Sequence, residues 1–310
     1  MTDVSIVIAA YDAARTIEAS IRSVLAQATV TVEVLVCDDA STDGTAQVVE
    51  AIEDPRVRLV RNASNLGPGG SRNRLMRLAR GDYVAFLDAD DQMAPERLAT
   101  MLGVAREHPG ALVFDDILEC HDLGVELRPF RRVHGGKAFA GPRSASGTRP
   151  VSLEQLLASP RLLVKPVVPT HRIRAEALEQ SHHRYGEDGL FLWRALARGI
   201  PAIYVPSPMY LYRVTPGSLS ANTERHALVA DCLRLAAEEP GASQQARQHA
   251  LSRAREYEDL ATLRAGRGPT LGKALRYFAG NPVRFPRWLL ALGKHRLYAL
   301  ARWRARAPGR

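Results

Sequence analysis

Cysteine is scarce: Cys37, Cys120 and Cys232 are the only three in 310 residues, and they stand far apart. An odd, scattered set without C-x-x-C spacing excludes a disulfide framework and a thiolate zinc ribbon, and it fits a reducing compartment. Long apolar runs are missing as well. Stretches such as Val4–Ala10 fall far short of the ~20 residues that span a bilayer. Asp3 and Asp12 flank that first run, so no secretory leader is expected and the expected location is the cytoplasm. With 46% hydrophobic and 24% charged residues, the composition is that of a globular chain, which excludes disorder, collagen-like repeats and coiled coil.

Acidic residues are absent from one long stretch. Between Arg264 and Arg310 there are twelve Lys or Arg and no Asp or Glu, so of the net +9 the residues 1–263 retain −3. Tyr277, Phe278, Phe285, Trp288, Tyr298 and Trp303 are interleaved with this charge. Basic plus aromatic, in helical spacing, predicts a surface that lies on an anionic membrane, peripheral on its inner face. The competing reading is a solvated helical face closing the fold. No recognisable nucleic-acid module accompanies the charge, so nucleic acid is not an expected partner.

The first half alternates short β-branched runs with helical spacing. Val4–Ala10, Val32–Cys37, Val57–Val60, Tyr83–Leu87 and Ala111–Phe114 read as strands. Thr16–Ala26, Thr45–Ile52, Gly70–Ala79 and Glu96–Arg106 read as helices. This rhythm predicts an α/β fold with a mostly parallel central sheet flanked by helices. From Glu119 to Pro150, Gly, Arg and Pro predict an irregular excursion with a hairpin and a loop. Helical patterns return at Leu153–Leu157, Arg174–Leu178 and Leu190–Ala197, and a strand pair is expected at Ala202–Val205 and Met209–Arg213. Residues 223–263 read as polar helices leading into a helical, basic extension.

In open α/β sheets, ligands bind beyond the carboxyl ends of the strands. The second strand ends in Cys37-Asp38-Asp39-Ala40-Ser41-Thr42-Asp43-Gly44-Thr45, and the fourth in Leu87-Asp88-Ala89-Asp90-Asp91. Taken alone, the first set reads better as local caps and turns. Asp88-Ala89-Asp90 differs, because a strand delivers hard oxygen ligands to one point, which suits Mg²⁺ or Mn²⁺. Gly67-Pro68-Gly69-Gly70-Ser71-Arg72 feeds a helix and can approach a phosphate, with Arg72 or Arg74 to pair with it. It matches neither the dinucleotide fingerprint nor a P-loop. Glu187-Asp188 opens a helix, where acids complement the dipole without any function.

Together, these segments in this order resemble family 2 glycosyltransferases: the Val4–Tyr11 opening, Asp38 through Thr45, Asn65-Leu66-Gly67 through Arg72-Asn73, Gly81-Asp82-Tyr83 into Asp88–Asp91, and Glu187-Asp188. The likeness is dense over 4–105 and thinner to about Ser220. It implies a GT-A fold over 1–222, with 1–115 the nucleotide-binding half and 116–222 the acceptor-binding half, followed by the extension 223–310. It further implies an inverting transfer from a nucleotide-sugar donor, UDP-linked by the family's habit, to a hydroxyl of a glycan or lipid-linked acceptor. Ala9, Ala10 and Tyr11 are then expected around the base, with Asp39 on its edge and Arg72 near the nucleotide. Asp88 is expected to reach the ribose or the metal, with Ala89 at the donor, and Asp90 to bind the metal directly. Asp188 is expected as the catalytic base, and Arg213, with Ser218 and Ser220, near the diphosphate. Asp12 departs from the Asn common there. The Gln-x-x-Arg-Trp of processive synthases is also missing, since Arg284 precedes Arg287-Trp288, which favours single addition. A nucleotidyltransferase on a related fold and a non-catalytic nucleotide- or glycan-binding scaffold are the alternatives.

Overall fold

The computed structural model describes residues 2–124, 127–134, 147–158, 163–183, 186–214 and 225–264. The chain divides into two compact units, Met1–Glu258 and Asp259–Arg310. Ser218, Ser220 and the basic extension beyond Arg264 lie outside the described residues.

The first unit opens with alternating elements: β1 (Val4–Ala10), α1 (Ile17–Leu25), β2 (Val32–Asp38), α2 (Thr45–Glu50), β3 (Val57–Arg61), α3 (Gly67–Leu78) and β4 (Tyr83–Phe86). A continuous apolar run such as β1 is what a strand covered by helices on both faces requires. Ile6 and Ile8 enter one core cluster and Val7 the other. β1 pairs in parallel with β2 on one side and β4 on the other, and β2 pairs in parallel with β3. The loops after these strands therefore gather along one rim, which is where the acidic turns fall.

The remaining elements are β5 (Gln92–Met93), α4 (Arg97–Glu107), β6 (Leu112–Asp122), β7 (Leu127–Arg132), β8 (Arg149–Val151), α5 (Leu153–Ala158), β9 (Val167–Pro169), α6 (Thr170–Ala175), α7 (Glu187–Ala197), β10 (Ala202–Val214), α8 (Arg225–Glu238) and α9 (Gln244–Arg264). Across the sheet the order is β3-β2-β1-β4-β9-β6-β10-β5, with β7 on β6 and β8 on β10. β6 and β10 are parallel to each other. β9 runs against both β4 and β6, so all six of β1–β4, β6 and β10 point one way. The mostly parallel sheet is as expected; the antiparallel strand inserted at its centre is not.

Four local expectations change. The pair Ala202–Val205 and Met209–Arg213 is one strand, β10, whose pairing with β6 slips between Val205 and Pro208 and again before Tyr210. Pro206 and Pro208 lack N–H groups, so the ladder is interrupted by bulges and not by a turn. β6 runs on to Asp122 and, with β7, forms the expected hairpin. α6 covers Thr170–Ala175 in place of Arg174–Leu178, and the chain leaves it through Ala177 at φ 45°. The polar helices α8 and α9 bury a stripe: Ala230 and Leu233, then Ala246, Ala250 and Ala254, join Leu190 and Trp193 of α7 in a third core cluster. Alanines four apart make a buried face too thin to register as apolar periodicity.

Candidate active site

The turn after β2 is satisfied from within. Asp43 accepts from Thr45 N at 3.0 Å and from Ala14 N at 3.0 Å. Asp12, at φ 49°, accepts from Thr42 N at 2.8 Å. Asp39 is buried. Its Oδ1 accepts from Asn62 Nδ2 at 2.7 Å and Leu66 N at 2.8 Å, and its Oδ2 from Gly67 N at 2.8 Å. In the free protein Asp39 thus pins the glycine turn. Beside it, β1 ends in Ala9 and the buried Ala10, whose carbonyl accepts from Asp39 N at 2.8 Å. Tyr11 follows, 51% exposed at the rim.

The glycines after β3 serve packing. α3 begins at Gly67, three residues before the expected start, and a Cβ on Gly69 would lie 1.9 Å from the Ser181 carbonyl oxygen. Only glycine lets the helix lie against the 180–182 segment this closely. Arg74 donates to Arg61 O and Asn62 Oδ1, both at 2.7 Å. Arg72 is buried and faces inward to carboxylates.

The turn after β4 concentrates negative charge. Asp88, Asp90 and Asp91 each offer an oxygen within 4.8 Å of the others. Asp91 is fully buried and tied, accepting from Tyr210 Oη at 2.8 Å and Arg213 N at 2.7 Å. Arg213 also donates from Nε to Asp90 O at 2.6 Å and pairs with Asp122 at 2.7 Å. Burial, and then the neighbouring Asp88, pushes the Asp90 carboxyl up to about 6. Burial would raise Asp88 too, but Lys165 and Arg72 outweigh it and hold its carboxyl at about 2. Asp90 makes no ion pair among the described residues. A carboxylate left uncompensated beside two others is the donor chemistry that a hard divalent cation fits.

Asp188 stands across from this turn. Gly186, at φ 78°, caps α7, so Glu187 and Asp188 fall in its first turn. Arg72 and Lys165 bridge the two sides. Arg72 reaches Asp88 Oδ1 at 2.5 Å, Glu187 Oε1 at 3.1 Å and Asp188 Oδ1 at 3.2 Å. Lys165 reaches Asp88 Oδ2 and Asp188 Oδ2, both at 2.6 Å. Gln180 accepts from Arg72 at 2.8 Å and is fixed by a reciprocal pair of bonds with Asn73. Burial would lower Lys165, yet Asp188 and Asp88 together raise it, so the ammonium stays charged. Burial, followed by the Asp188 charge, raises Glu187.

The structure thus gathers Arg72, Asp88, Asp90, Asp188 and Arg213 at one rim, with Ala89 buried in the same turn. Ala9, Ala10, Tyr11 and Asp39 lie at the ends of β1 and β2 on that edge of the sheet. Residues 5–154 match the family described as Glycosyl transferase family 2. The chain belongs to glycosyltransferase family 2.

This family 2 member is 39% identical over 224 residues to the succinoglycan biosynthesis protein ExoO of Rhizobium meliloti (strain 1021), covering 70% of this chain and 62% of that one. It is 38% identical over 99 residues to the UDP-Glc:alpha-D-GlcNAc-diphosphoundecaprenol beta-1,3-glucosyltransferase WfaP of Escherichia coli, covering 32% of this chain and 39% of the relative. The chain therefore spans less than two thirds of each relative's length. Among solved structures, S. aureus TarS 1-349 in complex with UDP-GlcNAc superposes with a TM-score of 0.64 at 20% identity, covering 94% of this chain and 80% of that one. The mannosyltransferase PcManGT from Pyrobaculum calidifontis in complex with GDP-Man and Mn2+ gives 0.59 at 19% identity, covering 91% and 80%. These likenesses establish the GT-A fold of the family 2 chain.

Lys165, Gln180 and Tyr210 escaped the sequence reading. Lys165 sits in Val164-Lys165-Pro166-Val167-Val168-Pro169, where two prolines mask a three-residue strand. Nothing local to Gln180 or Tyr210 marks either as facing a carboxylate.

Proposed function

We propose that this chain is an inverting glycosyltransferase that moves a sugar from a nucleotide-sugar donor, UDP-linked, to a hydroxyl of a glycan or lipid-linked acceptor. The observation that carries it is the pairing of Asp88 and Asp188 across two shared cations, Arg72 and Lys165. An acidic cluster suited to a divalent cation on one side of that pairing and a carboxylate fit to act as base on the other support the reading. The complexes of similar proteins with UDP-GlcNAc and with GDP-Man and Mn2+ support the reading, as does the glucosyltransferase named above.

In this mechanism Asp90, with Asp88, would hold Mg²⁺ or Mn²⁺, which supplies positive charge to offset what develops on the departing diphosphate. Asp188 Oδ2 accepts one bond from Lys165 and keeps a second lone pair for the acceptor proton. As that proton moves to Asp188, the acceptor oxygen forms its bond to the sugar C1. The bond from C1 to the phosphate oxygen breaks on the opposite face, and the nucleoside diphosphate leaves with the electron pair. No enzyme nucleophile is required. Arg213 Nε holds the Asp90 backbone carbonyl, and Tyr11 offers an exposed ring for the base. Among the described residues no helix is long and apolar enough to cross a membrane. We assign the chain to the inner membrane face through residues 264–310.

Thermal unfolding with UDP, GDP and dTDP, each with and without Mn²⁺, tests this reading. A ligand at 100 times its dissociation constant adds ~2.7 kcal/mol of stability. A metal-dependent rise with UDP is expected, and a flat response to all three would overturn the donor assignment. Asp188→Asn should abolish transfer with nucleotide affinity kept; loss of both together would argue against a base.

A further inference from the structure

We propose that Lys165 is the positioning residue of the acceptor side: its buried ammonium fixes the distance and direction of the Asp188 carboxylate relative to Asp88, and it acts on transfer through Asp188. The inference rests on the reading of Asp188 as the base.

Topology delivers Lys165 to this point. β9 runs antiparallel to β4 with Val167 opposite Ala85, Val168 opposite Val84 and Pro169 opposite Tyr83. Carrying that register two residues back sets Lys165 beside Leu87, next to Asp88. A parallel strand in this place would begin at the far edge of the sheet. The inserted antiparallel strand begins opposite the last residues of β4, with Val167 facing Ala85 on one side and Val113 of β6 on the other, so Lys165 comes to the rim that binds ligands. Pro166 holds the preceding residue in extended backbone, and Arg97 Nη2 donates to Lys165 O at 2.6 Å. The main chain under the ammonium is therefore fixed from two directions.

The two cations of the site differ in what they touch. Arg72 divides its guanidinium among Asp88, Gln180, Glu187 and Asp188. The two carboxylates that Lys165 reaches are Asp88 and Asp188, one from each half of the fold, at equal distances of 2.6 Å. With 1% side-chain exposure it has no solvent to fall back on, so its ion pairs are held in one geometry. Arg72 secures Asp188 Oδ1 and Lys165 secures Oδ2, which together set the carboxylate plane. Without Lys165, three carboxylates would share one guanidinium, and like-charge repulsion would drive Asp188 away from Asp88. A displacement of ~1 Å at a reacting group costs on the order of 10²-fold in rate.

The test uses the full chain and whichever of UDP-glucose, UDP-GlcNAc and GDP-mannose the wild type turns over fastest, read as release of the nucleotide. For Lys165→Met the expected result is a fall in kcat of about 100-fold, with donor KM and the dissociation constant of the Mn²⁺-nucleotide held within about fivefold. Adding Lys165→Met to Asp188→Asn should lower the nucleotide release that remains by no more than about threefold further, because residues acting as a unit are not additive. An additive loss, or a parallel loss of nucleotide binding, would show Lys165 working elsewhere and overturn the proposal. A crystal structure of Lys165→Met, or of Lys165→Gln if the first does not fold, needs no turnover: a displaced Asp188 carboxylate is expected, and an unmoved one refutes the idea. Full activity in Asp188→Asn would bring down the base assignment itself, and this inference with it. A dead Asp188→Asn beside a fully active Lys165→Met removes only the inference.

Discussion

The guanidinium of Arg97 lies under the ring of Tyr210, 5.2 Å from its centroid, and both side chains are sealed from solvent. Arg97 pairs with Asp115 at 2.9 Å and holds Lys165 O, while Tyr210 Oη accepts from Asp88 N at 3.1 Å and donates to Asp91. One buried arginine therefore supports both the Asp88–Asp91 turn and the lysine opposite. Arg97→Met should destabilise the chain by ~3–5 kcal/mol, because it leaves Asp115 buried without its partner. Arg97→Met with Asp115→Leu should recover most of that, since an apolar pair of similar volume replaces an ion pair at little cost. Nucleotide release should stay slow in the double variant, because neither Lys165 nor Tyr210 regains its support. Urea unfolding beside turnover separates the two effects.

Two glycines in helices should respond in opposite directions to alanine. Gly69→Ala places a methyl 1.9 Å from Ser181 O, so α3 and the 180–182 segment must separate. Overpacking of this kind costs ~1–3 kcal/mol, and the shift reaches Arg72 one turn along. Gly103 sits inside α4 with nothing within 4 Å of a new Cβ. Gly103→Ala should raise stability by ~0.5–1 kcal/mol through helix propensity and loss of unfolded-state freedom. A melting temperature that falls for both variants would contradict the packing at Gly103.

The adjacent acids Asp90 and Asp91 should separate by phenotype. Asp91 satisfies Arg213 N and Tyr210 Oη inside the protein. Asp91→Ala strands both donors, at ~1–3 kcal/mol for each buried group left unsatisfied. Asp90 has burial and Asp88 working against its charge, so Asp90→Ala should leave stability unchanged or higher in EDTA. It should lose the Mn²⁺-dependent part of nucleotide binding. Calorimetry with UDP, with and without Mn²⁺, decides this; equal Mn²⁺ dependence in Asp90→Ala would move the metal off that residue.

The parts of this site visible in the sequence are those built from local rules. β2 and β4 end at their acidic turns because apolar runs and Asp-rich turns are short-range signals, and the helix opened by Glu187-Asp188 is likewise local. What escaped depends on distant partners. Gly69 reads as a phosphate cradle until Ser181 is seen against it. Lys165, just before Pro166, carries no local mark of the site until β4 and β6 pair with β9. The buried face of α9 is made of Ala246, Ala250 and Ala254, which no hydrophobicity pattern separates from a solvated helix. Arg97 follows the same logic, since its charge marks it for the surface and only Asp115, eighteen residues on, makes its burial possible.

The basic extension has a test built into its composition. Of three tryptophans, Trp288 and Trp303 lie beyond Arg264, and Trp193 is 2% exposed in the core. A change in tryptophan emission on adding vesicles therefore reports on the extension. Each Lys or Arg brought to an anionic surface contributes ~1 kcal/mol at low salt. Vesicles containing phosphatidylglycerol should shift the emission to the blue, and pure phosphatidylcholine should not. Because charges at a surface are screened beyond ~10 Å in 0.1 M salt, the shift should shrink as salt rises, less so where indole rings have entered the interface. Removing residues 265–310 should end sedimentation with the vesicles. Retained, salt-sensitive binding in that variant would place the docking surface on residues 1–264, whose acidic excess makes it an unpromising partner for an anionic lipid.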